Sequence, residues 1–200
     1  MTSSDWKVPK NTALIVIDVQ QGHDDPRFGR RNNPDAEGRI AVLLDAWRAN
    51  GLPVIHVQHL SVRPESAFHP SQPGVAIKPI VAPRDDETLV QKSANSAFIG
   101  TSLEQMLHER GIETLILTGL TTPHCVSSTA RMAGNLGFAT YVVADATAAN
   151  EGTVDLSFPG ASSIRMDPEL VHMVSLATIN GEFVSVVDTA QVMAALHSDL

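Results

Sequence analysis

The stretch Ala13-Leu14-Ile15-Val16-Ile17, followed at once by Asp18, decides the fold. It is a continuous apolar run, rich in β-branched residues and without a polar face. That predicts a strand covered on both sides, as in a parallel sheet. Working outward, Asn33-Pro34 reads as the N-cap and first residue of a helix. That helix carries Ile40, Leu43, Leu44 and Trp47 at helical spacing and stops at Asn50-Gly51. Pro53 to His59 reads as a second strand and Thr88 to Lys92 as a third. Thr101-Ser102-Leu103-Glu104 has the form of a capping box, opening a helix that ends at Gly111. Thr114 to Leu117 is a fourth strand, Cys125 to Leu136 a helix stopped by Gly137, and Ala139 to Ala144 a fifth strand. Asp167-Pro168 caps a helix running to Asn180-Gly181, Phe183 to Val187 is a sixth strand, and Thr189 caps a last short helix. Strands alternating with helices give an α/β fold, a parallel sheet with helices on both faces.

Two connections are long. Residues 61–87 hold Pro64, Pro70, Pro73, Pro79 and Pro83, and residues 150–166 show little regular pattern. Such loops in a compact domain are commonly lids or binding loops.

The 200 residues are 43% hydrophobic and 18% charged, which suits one globular domain over residues 1–200 and excludes a disordered chain. A net charge of −8 argues against binding nucleic acid or an anionic membrane through bulk charge. The run from Ala13 to Ile17 is too short for a signal-peptide core or a membrane span. Cys125 is the sole cysteine, so no internal disulfide forms. These features predict a soluble cytoplasmic protein.

Ligands of open parallel sheets bind beyond the carboxyl ends of the strands. Asp18 follows the first strand, Lys92 closes the third, and Cys125 follows the fourth after Gly119-Leu120-Thr121-Thr122-Pro123-His124. A carboxylate, an ammonium and a thiol at strand ends can meet in one crevice. A thiol at a helix start beside a lysine is expected to be partly thiolate, and a carboxylate within reach can move its proton. No Gly-x-Gly-x-x-Gly and no phosphate-binding Gly-Lys-Ser/Thr loop is present, so no nucleotide cofactor is expected.

Three blocks carry a resemblance. They are Ala13 to Gln20, Lys92-Ser93-Ala94-Asn95-Ser96-Ala97-Phe98 with its continuation to Glu104, and Thr118 to Val126. In order and in residue type they resemble the signature segments of the isochorismatase-like cysteine hydrolases. The resemblance implies a three-layer α/β/α sandwich around a six-stranded parallel sheet, with Asp18 as proton shuttle, Lys92 supporting the thiolate and Cys125 as nucleophile. It also implies a cis peptide at Leu120–Thr121 and an oxyanion hole made by the N–H groups of Thr121 and Cys125. Members that cleave the enol ether of isochorismate lack the cysteine. Cys125 therefore points to attack on a carbonyl: hydrolysis of a small-molecule amide through a thioester. Hydrolysis of an ester or cyclic amide at the same site, and a non-catalytic thiol-sensing module, are the alternatives.

Nicotinamidases of this family resemble one another in an Asp-x-His metal motif after the second strand. Here that region reads His56-Val57-Gln58-His59-Leu60, without an Asp. His56 and His59 would also face opposite sides of a strand. No metal site is expected, and nicotinamide is not expected as the natural substrate. Gln20, Phe28, Phe98, Phe158 and His124 are candidate pocket walls. Arg27, Arg30 and Arg31 can be carboxylate anchors or parts of a solvated mixed-charge loop. The resemblance also implies a homodimer or homotetramer.

Overall fold

The central strand β1 (Thr12–Ile17) is buried at every position, as its unbroken apolar run requires. In the computed structural model, residues 6–154 and 163–197 are described. β1 pairs in parallel with β2 (Val54–His59) on one side and with β4 (Thr114–Leu120) on the other. β3 (Thr88–Lys92) extends the sheet beyond β2, and β5 (Ala139–Ala148) beyond β4. Two short strands, β6 (Gly152–Val154) and β7 (Ile164–Met166), form a separate antiparallel pair. β8 (Ser185–Val187) completes an all-parallel sheet of order β3-β2-β1-β4-β5-β8.

Alternation along β1 sorts the two helical layers. Ala13, Ile15 and Ile17 face α2 (Leu103–Glu109), α3 (Ser127–Asn135) and α4 (Pro168–Ala177), meeting Leu107, Ala133 and Leu176 in one core cluster. Leu14 and Val16 face α1 (Ala36–Ala49) and α5 (Thr189–His197), meeting Leu43, Trp47 and Leu196 in a second cluster. Burial of each leucine, isoleucine or valine among these contributes about 1.5–3 kcal/mol relative to exposure. The expected three-layer α/β/α sandwich around six parallel strands is therefore what the chain adopts.

Three helix starts differ from the sequence reading. Asn33 does not cap α1: its backbone has φ 43°, and its side-chain amide donates to the carbonyls of Ala144 (2.9 Å) and Thr147 (2.7 Å). It ties the carboxyl end of β5 to the loop, and the helix begins after Asp35. The capping box at Thr101 does not close either. The Thr101 hydroxyl donates back to Ala97 O at 2.6 Å, and Ser102, at the N-cap, makes no side-chain cap. For α5 the cap is Asp188, not Thr189: Asp188 Oδ1 accepts Gln191 N at 2.7 Å while Gln191 Oε1 accepts Asp188 N at 2.9 Å. Thr189 is freed to bind Asp145 Oδ1 through both its N–H and its hydroxyl.

The strand ends opposite the crevice are closed by a buried ionic cluster. Glu87 accepts from Arg48 Nε at 2.7 Å and lies 2.9 Å from His56 Nε2, with side-chain exposures of 8%, 13% and 1% respectively. Burial pushes the Glu87 carboxyl up, but Arg48, the Arg84 N–H and His56 outweigh it and hold it at about 2, below the ordinary 4.5. A depressed acid contributes stability that is present above about 4.5 and is lost as pH falls toward 2. Glu87→Gln should cost about 3 kcal/mol at neutral pH, because Arg48 is left without its buried counter-charge. Urea unfolding at pH 7 and pH 3 should show the gap between variant and parent shrinking at the lower pH.

Candidate active site

Asp18, Lys92 and Cys125 come together at the carboxyl ends of β1, β3 and β4, although 74 residues separate the first two and 33 the last two. The meeting depends on how closely β1 and β4 approach there. Gly119 has φ 116°, and a Cβ on it would collide with the Ile17 carbonyl. Leu120–Thr121 is a cis peptide, the bond implied by the resemblance. A single π-helical turn, Thr122–Val126, then carries Cys125 and runs into α3. Cys125 therefore sits in a wide turn ahead of the regular helix rather than at its first residue.

Asp18 takes the left-handed conformation, φ 51°, immediately after β1. Its N–H still donates to Val57 O at 2.9 Å, so the ladder with β2 holds the backbone while the side chain turns into the crevice. Lys92 Nζ lies 2.6 Å from Asp18 Oδ2 and 3.3 Å from Cys125 Sγ. It also contacts His59 Nδ1 at 3.3 Å and Ala94 O at 3.1 Å. The Lys92 and Asp18 side chains are 0% and 2% exposed, so the pair interacts without solvent screening. Asp18 Oδ1 is buried and has no hydrogen-bond partner among the described residues.

The electrostatics differ from the sequence expectation. Burial pushes the Cys125 thiol up, the Asp18 charge adds to it, and Lys92 offsets only part, leaving it at about 12. The resting sulfur is thus a neutral thiol, not the partial thiolate read from a lysine and a helix start. Burial likewise raises Asp18 above the ordinary carboxylate range, against the pull of Lys92.

The cavity beside Cys125 has a volume of about 650 Å³. Asp18, Thr121, His124 and Phe28 line it, as the sequence reading placed them. Two proposed wall residues do not. Gln20 is fully buried, and its amide clamps the end of β2: Nε2 donates to His59 O (3.0 Å) and Val75 O (2.8 Å), and Oε1 accepts His59 N (2.8 Å). Phe98 is in the core, its ring 5.9 Å from that of Phe138. Phe158 lies outside the described residues. The three loop arginines are all paired, with Asp25, with Glu169 and Asp167, and with Glu37 respectively, and only Arg27 reaches the cavity.

Sequence reasoning missed His59, Phe68, His23 and Met166, all of which line the cavity. His59 was legible in part, since it ends β2 in register with Lys92. Phe68 sits in the long proline-rich connection and reaches the site because Gly22 and Gly74 let two loops touch. A Cβ on Gly22 would lie 2.8 Å from the Phe68 ring, and one on Gly74 2.8 Å from Gly22 Cα. The ligand atoms of Asp18, His59 and Cys125 all lie within 4.8 Å of one another. They converge on the Lys92 ammonium, whose positive charge opposes a metal cation at that point.

Comparisons with known proteins identify the family. Residues 12–191 match the isochorismatase domain model. An uncharacterized isochorismatase family protein of Bacillus subtilis is 47% identical over 181 residues, covering 90% of this chain and 94% of that protein. Maleamate amidohydrolase of Pseudomonas putida is 38% identical over 150 residues, 67% of this chain and 70% of that enzyme. The solved structure of an isochorismatase-family protein from Chromobacterium violaceum superposes with a TM-score of 0.88 at 45% identity, covering 94% of each chain. The domain match over residues 12–191, the 47% identical relative and the sheet shared with a solved structure place this chain in the isochorismatase family of hydrolases.

Proposed function

We propose that the protein is a cysteine-dependent amidohydrolase that cleaves the C–N bond of a small amide through a thioester. The observation that carries this reading is the meeting of three groups in one crevice: Lys92 Nζ lies 2.6 Å from Asp18 Oδ2 and 3.3 Å from Cys125 Sγ, and the Asp18 carboxyl is in hydrogen-bonding reach of the thiol. As Sγ attacks the carbonyl carbon, Asp18 takes the thiol proton, so the thiolate never has to exist in the resting, desolvated site. The tetrahedral oxyanion rests on the N–H groups of Thr121 and Cys125. Protonated Asp18 then gives its proton to the leaving nitrogen, the C–N bond breaks, and the thioester remains. Water attacks the thioester with Asp18 as base, the acid leaves, and the proton returns to sulfur. Lys92 keeps Asp18 and the sulfur at fixed separation and offsets the negative charge that passes between them. The relationship to maleamate amidohydrolase supports an amide over an ester. No metal takes part.

The test is ammonia release over a panel of small primary amides, with intact-mass detection of an acylated Cys125. Turnover of at least one amide, abolished by Cys125→Ser and unchanged by prolonged chelation, is the expected result. Esters cleaved and no amide cleaved would overturn the choice of bond. A loss on chelation that zinc restores would overturn the metal-free mechanism.

A further inference from the structure

We infer that His172, a buried histidine of α4 that does not line the cavity, is a positioning residue. Through Thr122 it fixes the π-helical turn from which the N–H groups of Thr121 and Cys125 are to hold the oxyanion. This rests on the reading of Cys125 as nucleophile and adds a residue that the reading does not use.

The turn has little of its own to hold it. A π-helical turn is wide and rare, and it depends on outside contacts for its placement. Pro123 within it has no N–H, and Thr121 at its N-cap makes no side-chain cap. Among the described residues, the side-chain hydrogen bonds of Thr121–Val126 fall into two sets. Cys125 meets Lys92 and Asp18, and Thr122 Oγ1 meets His172 Nδ1 at 2.9 Å. The first set belongs to the reacting groups, which change partners during the chemistry. The second stands outside the reaction. Thr122 is fully buried and His172 is 5% exposed, so bulk water does not compete for the bond.

His172 is itself held at its other nitrogen. Opposite Gly119, β5 slips out of register: Leu117 pairs with Val142, but Gly119 pairs with Thr147. Ala144 therefore lies in a looped-out stretch, and its carbonyl needs donors from outside the ladder. Asn33 Nδ2 donates to it at 2.9 Å and the Thr147 hydroxyl at 3.1 Å, and the His172 ring is a further donor. Burial lowers the His172 pKa, so the ring is neutral, with one nitrogen donating and the other accepting. Nε2, 3.5 Å from Asn33 Nδ2, is the nitrogen on the Ala144 side and carries the proton. Nδ1 is left to accept from the Thr122 hydroxyl. A line of bonds thus runs from the irregular stretch of β5 through α4 to the residue next to Thr121. A displacement of Thr122 would move both oxyanion donors, since Thr121 is bonded to it and Cys125 shares its turn.

The experiment compares two reactions of Cys125. Acylation by p-nitrophenyl acetate passes through an oxyanion, whereas alkylation by iodoacetamide does not. Both are followed by intact mass, with nitrophenolate release timing the first. In His172→Leu the ratio of acylation to alkylation rates should fall roughly 10–100-fold, the loss expected of misplaced oxyanion donors. His172→Asn, whose amide can stand where Nδ1 does, should recover most of that ratio. His172→Gln, whose amide reaches the place of Nε2, should not. Thr122→Val should match His172→Leu, and the double variant should be no worse than either single one. A merely structural histidine would lower the unfolding temperature and leave the ratio alone. An unchanged ratio in folded His172→Leu or Thr122→Val, equal ratios in the Asn and Gln variants, or losses that multiply in the double variant overturn the inference. Should His172→Leu not fold, Thr122→Val and the Asn and Gln pair decide. A parent whose Cys125 is not acylated overturns the inference together with the nucleophile reading beneath it. Acylation with the expected ratios but no amide cleaved sustains the inference and overturns only the choice of bond.

Discussion

Asp18→Asn will lower the acylation rate of an amide by roughly 10²–10⁴ while sparing much of the rate with an activated ester. Asparagine keeps the shape of the side chain and cannot carry a proton. An amide needs that proton twice, once to leave sulfur and once to reach the departing nitrogen. An activated ester expels a stable anion and needs only the first transfer. Even that need is eased, because the Asp18 charge is one of the causes that raise the Cys125 thiol to about 12, and the substitution removes it. Cys125→Ser, by contrast, replaces sulfur with a far more basic and less nucleophilic oxygen, and should depress both substrates heavily. The measurement is single-turnover acylation of a matched amide and activated ester. Equal losses on both with Asp18→Asn would remove leaving-group protonation from its role.

Lys92→Met will show the largest effect on stability. Methionine fills much of the same volume but leaves Asp18, 2% exposed, without its counter-charge. Breaking a buried pair from one side costs about 3–5 kcal/mol. The sign of its pH dependence is fixed. Lys92 lowers the Asp18 pKa, so its loss raises that value further. A carboxyl whose folded pKa lies above the unfolded one contributes stability at low pH and loses it as pH rises. The variant should thus lie nearer the parent at pH 5 than at pH 8 in urea unfolding. Asp18→Asn added to Lys92→Met should recover most of the loss, since no buried charge remains. The residual activity of the single Lys92→Met variant should also rise with pH through a higher inflection than the parent's, as Asp18 must ionise to act as a base. A variant as stable as the parent at pH 8 would mean that the pair is hydrated.

The sheet and the meeting of Asp18, Lys92 and Cys125 were readable because they depend on patterns with long reach. An unbroken apolar run such as Ala13 to Ile17 has one environment available to it, and strand ends in a parallel sheet share one edge. What the sequence did not carry was set by tertiary contact. Asn33-Pro34 has the local form of a cap, yet two carbonyls of β5, more than a hundred positions away, take the asparagine amide. Gln20 stands two residues from Asp18 and reads as a wall, but the backbones of His59 and Val75 claim its amide. The state of Cys125 was misread for a similar reason. Neighbours in sequence suggest a dipole and a cation, while the value is decided first by desolvation and then by Asp18. The short strands β6 and β7 carry too few residues for a two-residue alternation to stand out.

The strand order has a consequence for how the chain is made. With the order β3-β2-β1-β4-β5-β8, β1 is interior to the sheet, yet its two partners are synthesised at very different times. β2 follows soon after, so one edge of β1 can close early on the ribosome. The other edge stays open until Thr114–Leu120 has emerged. At the usual rate of about 5–20 residues per second, that is a wait of roughly 5–20 s with an apolar strand edge exposed. Chaperone demand should therefore concentrate on nascent chains between the lengths that release β2 and β4. It should fall once the strand bearing Gly119 has docked, the same step that first brings Cys125 to Asp18.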